Sequence, residues 1–140
     1  MARCFYCVRL EVAHPGGVRI GFDWCRYLSL AKDLASSGEK DEARLRSSIS
    51  RAYYAAFCIA RNHLRDVEKK PIPDESVHSY VISQFYSLGK RNNGRKLALE
   101  LRRLRNHRNR ADYEDAISGL YSMSQDALIR AERIILYFKK

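Results

Sequence analysis

The chain has few of the features that mark membrane, secreted or β-rich proteins. It contains no apolar run near the ~20 residues that a membrane-spanning helix needs, and its N-terminus lacks the continuous apolar segment of secretory signals. Its 140 residues include only three prolines and seven glycines. We therefore expect a cytoplasmic protein that makes no membrane contact and consists of one helical domain.

Cysteine is also sparse, and its spacing does not favour a metal site. Cys4 and Cys7 form one CxxC, but no second closely spaced pair of Cys or His follows, and His14 is the only other ligand nearby. A structural zinc site needs four ligands. Cys25 and Cys58 fall within helical patterns, where cysteine acts as a small apolar residue. We predict no metal, no cofactor and no disulfide framework.

Positive charge, by contrast, is concentrated in one segment. Between Lys90 and Arg110 there are nine basic residues and one acid, so this segment carries +8 of the chain's formal +10. Such a surface suits an acidic partner, either nucleic acid, a membrane surface or an acidic protein. Membrane binding is the least favoured, because the apolar residues of this segment are needed for a core and it contains no bulky aromatic residue.

Apolar residues repeat with helical spacing from Phe22 to the end of the chain. The pattern predicts a first helix capped by Asp23, a long Ala-rich helix from about Asp41 to Asp66, and a short helix capped by Ser76. A basic helix over about 94–110 and a last helix capped by Asp112 follow. The predicted fold is an all-α, four- to five-helix up-down bundle.

Residues 1–21 do not share this pattern, and we treat them as an N-terminal extension to the domain formed by residues 22–140. A β-prone stretch, the turn signal AHPGG and a possible return strand allow a short β-hairpin. No function is assigned to the extension.

The phase of the basic helix singles out Arg108. Leu97, Leu101, Leu104 and Arg108 are spaced as one face of an α-helix, so Arg108 continues an apolar stripe. A buried guanidinium is costly unless it is paired or lines a wet cleft. Arg108 therefore either pairs with an acid such as Asp112, reaches out of the core, or faces a cleft that binds an anion.

Two stretches of the helical region contain recognisable motifs. The stretch SISRAYYAAF (residues 48–57) and the stretch RNRADY (residues 108–113) are similar to the "RaYYaaF" and "RxxADY" motifs of small prokaryotic HEPN proteins. FDWCRYLSLAKDL (residues 22–34) resembles the opening helix of that branch, and His78, Ser79 and Val81 resemble its "HsgV" motif.

The resemblance implies a helical bundle that forms a homodimer, with the basic helices of both copies lining a shared cleft. Many HEPN proteins are metal-independent endoribonucleases, and many are toxins that act with a minimal nucleotidyltransferase (MNT) antitoxin. Their signature is Arg, a polar residue, several variable residues and then His. In that chemistry a base takes the proton of the RNA 2′-OH, which attacks the phosphate while Arg stabilises the developing charge.

The chain departs from that signature at one position. Arg108 and Asn109 fit its start, but Tyr113 stands where the family has His. A tyrosine ordinarily ionises near pH ~10, which makes it a poor base at neutral pH. Arg102 and His107 match the spacing literally, but residues five apart on a regular helix point about 140° apart. The candidate catalytic residues are Arg108, Asn109 and Tyr113, with Arg102 and His107 less favoured.

The resemblance thus implies a protein of the toxin–antitoxin type that binds RNA or a nucleotide in a basic dimer cleft, with cleavage left open. The candidate nucleic-acid contacts are Arg102, Arg105, Arg108 and Arg110. Asp112, Tyr53 and Tyr54 are candidate orienting residues. The alternative is a non-catalytic helical module that binds an acidic partner protein through the same surface.

Overall fold

The computed structural model describes residues 13–14, 17–18, 21–36, 41–89 and 93–139. Over these residues the chain forms five helices, which confirms the predicted all-α bundle. They are α1 (Cys25–Ala35), α2 (Glu42–Asp66), α3 (Val77–Ser87), α4 (Gly94–Tyr113) and α5 (Leu120–Tyr137).

Two short strands lie at the predicted turn of the extension. Strand β1 (Ala13–His14) pairs antiparallel with β2 (Gly17–Val18). The rest of the expected hairpin, together with Cys4 and Cys7, lies outside the described residues.

Helix α2 is the centre of the bundle, because it packs against each of the other four helices. Its small residues Ala52, Ala56 and Ala60 are fully buried, which lets neighbouring helices approach closely. The buried hydroxyl of Ser48 donates to the carbonyl of Ala31 at 2.6 Å and fixes α1 against α2. None of the helices within the described ranges combines the length and hydrophobicity needed to cross a bilayer.

Of the predicted helix caps, Asp23 is present: its carboxylate accepts the backbone N–H of Cys25 at 3.0 Å at the start of α1. Asp41, at the predicted start of the long helix, caps α2, and its carboxylate accepts the backbone N–H of Arg44 at 3.1 Å. Ser76 directly precedes α3, but its backbone is left-handed (φ 53°) and its side chain makes no capping hydrogen bond.

The junction between α4 and α5 differs from the prediction. Asp112 does not cap α5: it lies in the last turn of α4, and α5 begins at Leu120 after a left-handed Gly119 (φ 69°). Asp112 stays helical because its carboxylate pairs with Arg108 one turn earlier, at 2.9 Å. The chain becomes extended only at Glu114.

Helices α3 and α4 meet at Gly94. A Cβ atom at this position would lie 2.6 Å from both the Leu88 Cβ and the Phe85 carbonyl oxygen. Only glycine allows this close approach between the end of α3 and the start of α4.

Candidate nucleic-acid interface

Arg108 occupies the end of the buried stripe of α4, as its phase predicts. Leu97, Leu101 and Leu104 are buried, and the Arg108 side chain is 16% exposed. The Nε of Arg108 lies 2.9 Å from Asp112 Oδ2, although its N–H does not align with that oxygen as a hydrogen bond would require. The predicted pairing of Arg108 with Asp112 is therefore confirmed as an ion pair.

The two terminal nitrogens of Arg108 are only partly used. Nη1 donates to Asn109 Oδ1 at 3.1 Å, and Nη2 donates to the Tyr54 hydroxyl at 2.9 Å. Each terminal nitrogen carries two hydrogens, so one hydrogen on each has no partner among the described residues. Two neighbouring donors of this kind can hold two oxygens of one anion.

Three tyrosine rings surround the Arg108 guanidinium. Its carbon lies 5.2 Å from the ring centre of Tyr54, 5.8 Å from that of Tyr113 and 6.0 Å from that of Tyr53. Tyr113 is 75% exposed, so its ring covers the cation from the solvent side. The structure thus places the candidate residues Asn109, Tyr113, Tyr53 and Tyr54 around Arg108.

Buried Tyr53 and half-buried His78 form a hydrogen-bonded pair beside this cluster. The Tyr53 hydroxyl lies 2.7 Å from His78 Nδ1, and it has no other polar partner in the described part of the chain. A buried hydroxyl proton needs an acceptor, so Tyr53 donates and the neutral imidazole carries its proton on Nε2. Burial raises the pKa of Tyr53 well above its usual range, which keeps that proton in place.

The charge around His78 is positive. Burial first, and then the Arg105 and Arg108 guanidinium groups with Arg61, lower the pKa of His78 below its ordinary value. Phe57 stacks on the imidazole with ring centres 4.4 Å apart. His78 is therefore a neutral, packed side chain at the edge of a strongly cationic site.

Arg105 is the second cation of the site. It lies one turn before Arg108 on α4, and its Nη1 donates to the Ser79 hydroxyl at 3.1 Å. Its Nε is buried and has no partner in the described residues. That nitrogen has almost no exposed surface, so an anion would contact the terminal nitrogens of Arg105 instead.

The structure does not bring Arg102 and His107 together. Arg102 is exposed, and no contact joins it to His107 across the described residues. The His107 Nε2 instead lies 2.7 Å from Asp126 Oδ2 on α5. Asp126 also accepts from Arg130, which in turn pairs with Glu100 at 2.7 Å. His107 thus belongs to a network that joins α4 to α5.

Arg110, the remaining candidate contact, is exposed and pairs within its own helix. Its Nε lies 3.2 Å from Glu114 Oε2, and its Nη1 lies 3.8 Å from the Met123 sulfur. Arg110 points toward the α5 side of α4, so it and Arg102 contribute to the field of the helix but do not contact the Arg108 cluster.

Arg46, on α2, holds the end of α4 in place. Its Nη1 donates to the carbonyls of Ala111 (2.9 Å) and Glu114 (2.6 Å), and its Nη2 donates to that of Asp115 (3.2 Å). Glu42 orients the guanidinium from one turn away on α2. Arg46 therefore fixes the segment that carries Asp112 and Tyr113, and no short-range sequence signal reveals this.

A shallow depression of about 450 Å³ adjoins this segment on the far side of Tyr113. Four of its eight lining residues are acids, against one arginine, Arg46. Its charge does not suit a phosphate. Among the described residues, no three His, Cys, Asp or Glu side chains are grouped so that they could hold a metal ion.

Comparison with known proteins agrees with the motifs. A family model of the HEPN domain matches residues 25–140, a span that contains all five helices and the whole Arg108 cluster. No curated protein and no solved structure matches the chain. On the strength of the family match, the chain belongs to the HEPN domain family.

Proposed function

We propose that this HEPN protein binds RNA by holding its phosphate backbone at Arg108 and Arg105. The observation that carries the proposal is the pair of unused donors on Arg108, which keeps one free hydrogen on each terminal nitrogen. Arg105, one turn earlier on α4, adds a second guanidinium that pairs with no carboxylate in the described part of the chain. Paired guanidinium donors match the oxygens of a phosphate.

The neighbouring residues have separate roles in this proposal. Arg108 holds the phosphate, while Asp112 and Asn109 keep its guanidinium in one orientation through their contacts with it. Tyr113, exposed at the rim, donates a hydrogen bond to the bound RNA. The Tyr54 hydroxyl accepts a hydrogen bond from Arg108 Nη2 and holds that nitrogen in place.

RNA cleavage is a separate question from RNA binding. Attack of the 2′-OH on the phosphate needs a group that removes its proton. Tyr113 stands at the usual His position, and His78 Nδ1 is already occupied by the Tyr53 hydroxyl. We therefore propose RNA binding as the primary function. A cleavage assay on the same samples measures whether RNA is also cut.

We further propose that the protein works as a homodimer of the toxin–antitoxin type with a minimal nucleotidyltransferase partner. Family membership supports this assembly. Two copies that face each other across α4 would combine two Arg108 clusters in one cleft and double its positive charge. Light scattering of the purified protein tests the dimer, and co-purification with a co-expressed nucleotidyltransferase tests the partner.

The test of the proposed function is RNA binding at several salt concentrations, with wild type compared with Arg108→Ala. Affinity for single-stranded RNA falls with salt with a logarithmic slope of about −0.7 per phosphate contacted. We expect Arg108→Ala to weaken binding at low salt and to reduce the slope by about 0.7. Arg133→Ala is the matched control, because Arg133 is an exposed arginine on α5, away from the cluster.

The same samples are incubated with RNA in excess chelator, and product ends are examined for a 2′,3′-cyclic phosphate. Cleavage that Arg108→Ala abolishes would establish a metal-independent ribonuclease. Binding without cleavage would establish a non-catalytic RNA-binding protein. RNA affinity that is independent of salt, or equal in Arg108→Ala and wild type, would refute the proposal.

A further inference from the structure

A continuous row of arginine and aromatic side chains leads away from Arg108. We call this row the arginine–aromatic ladder. It runs from α4 across α2 to the start of α1 and returns to α2, and its members are Tyr113, Arg108, Tyr54, Arg51, Tyr27, Trp24 and Arg61.

Beyond Arg108, neighbouring members of the ladder lie between 4.8 and 5.6 Å apart, measured between ring centres and guanidinium carbons. The Arg51 guanidinium carbon lies 5.4 Å from the ring centre of Tyr54 and 4.8 Å from that of Tyr27. The rings of Tyr27 and Trp24 meet edge to face at 5.3 Å, and the Arg61 guanidinium carbon lies 5.6 Å from the Trp24 ring. Phe22, 49% exposed, continues the row by packing 4.9 Å from Trp24.

Two of the ladder cations, Arg51 and Arg61, differ from most half-buried arginines of the described residues. Arg46, Arg65 and Arg130 each pair with a carboxylate. Arg51 and Arg61 have no carboxylate within the described residues, and their only polar contacts are with the neutral side chains of Ser50 and Asn62. The ladder therefore carries positive charge that the described residues do not neutralise.

The aromatic members are fixed in position while remaining partly accessible. Trp24, Tyr27 and Tyr54 are half-buried, and each packs against the hydrophobic core along one side. Rings held this way lose little freedom when a planar group stacks on them. Fixed rings beside cations are the elements with which proteins bind single-stranded nucleic acid.

We propose that a single strand of RNA, held by its phosphate at Arg108, extends along the arginine–aromatic ladder over α2 to the start of α1. This inference deepens the proposed function and rests on it. Phosphates lie against Arg51 and Arg61, and bases stack on the exposed sides of the ladder rings. The strand is single because paired bases in a duplex cannot turn toward the protein and stack. The ladder accommodates about four nucleotides, the lower end of the known range for one single-strand-binding domain.

The test is the dependence of affinity on RNA length, measured by fluorescence anisotropy with oligouridylates of two, four and eight nucleotides. In wild type we expect affinity to rise about tenfold or more from two to eight nucleotides. Arg51→Ala should remove most of this rise and leave dinucleotide affinity unchanged. Tyr27→Leu keeps the apolar contact with the core but removes the aromatic ring, and it should have the same effect. Arg133→Ala is again the control, and thermal melts verify that each variant is folded.

The outcomes separate the ladder from the Arg108 site. If affinity does not depend on length, or if the rise with length survives Arg51→Ala and Tyr27→Leu, the ladder inference is wrong and the Arg108 site stands. If wild type binds none of the oligonucleotides, both proposals are wrong. Both are also wrong if Arg108→Ala binds every oligonucleotide as tightly as wild type does. If Arg51→Ala converts a dimer to a monomer by light scattering without the loss of length dependence, the ladder is a contact between two copies of the chain and the inference is overturned.

Discussion

Replacing Arg46 tests whether one side chain holds the end of α4 in place. In Arg46→Ala the carbonyls of Ala111, Glu114 and Asp115 lose a charged donor, and the C-terminal end of the α4 dipole loses a cation. A hydrogen bond to a charged group contributes about 1.5–3 kcal/mol, and a cation at a partly buried helix end up to ~2 kcal/mol. These contributions overlap, and the freed carbonyls can bind water.

The expected net loss is therefore about 2 kcal/mol of unfolding free energy, or about 7 °C in Tm for a domain of this size. Arg46→Lys keeps the charge but loses the forked donor geometry, so about half of the loss is expected. Urea unfolding followed by circular dichroism measures both. Arg133→Ala, at an exposed helical position, should stay within about 0.5 kcal/mol of wild type. If Arg46→Ala and Arg133→Ala were equally stable, the capping role of Arg46 would be refuted.

Three further predictions concern the packing and charge around the site. Gly94→Ala should lower the unfolding free energy by about 2 kcal/mol in urea despite its better helix propensity, because its Cβ would lie 2.6 Å from the Phe85 carbonyl oxygen; stability at or above wild type would contradict this packing. Burial and the charges of Arg105, Arg108 and Arg61 lower the pKa of His78 in the folded protein. The unfolded chain therefore binds more protons, and the unfolding free energy falls as the pH drops below the ordinary His pKa of 6.5. His78→Gln should therefore lose less stability than wild type between about pH 7 and 5, and equal losses in urea titrations would count against it. His107→Ala should lower stability by about 0.5–1 kcal/mol through the loss of its Asp126 pair while RNA affinity stays at the wild-type value; a large loss of affinity would restore the Arg102 and His107 pair as the site.

Periodicity predicted a bundle of four to five helices and the place of Arg108 on the apolar stripe of α4. Both follow from local information, because apolar spacing sets which face of a helix is buried. The pairing of Arg108 with Asp112 is local too, since residues four apart on a helix are neighbours. The Tyr53 and Tyr54 positions came from the motif, and the structure places both beside Arg108.

The end of α4 could not be read from the sequence in the same way. Asp112 is a good N-cap residue, but here its ion pair with the Arg108 guanidinium and the hydrogen bonds from Arg46 keep the segment helical. Arg46 is 65 residues from Ala111 in the chain, so its contact depends on how α2 and α4 pack. The arginine–aromatic ladder likewise joins three helices, and single-helix patterns contain no information about such alignment.

Helix α2 packs against α1, its neighbour in sequence, and against α4, which is more distant in sequence. We expect these two contacts to form at different stages of folding and to open at different rates. The α1 and α2 pair joins residues close in sequence, such as Ala31 and Ser48, 17 residues apart. The Tyr54 contact with Arg108 closes a separation of 54 residues, and longer loops cost more entropy to close. We expect α1 and α2 to pair early in folding and the α2 and α4 junction to form later and open more readily. Amide hydrogen exchange measures how readily each region opens. The backbone amides of Ala111 to Tyr113 should exchange faster than those of Ala52 to Ala60, and slower exchange at Ala111 to Tyr113 would contradict the expectation.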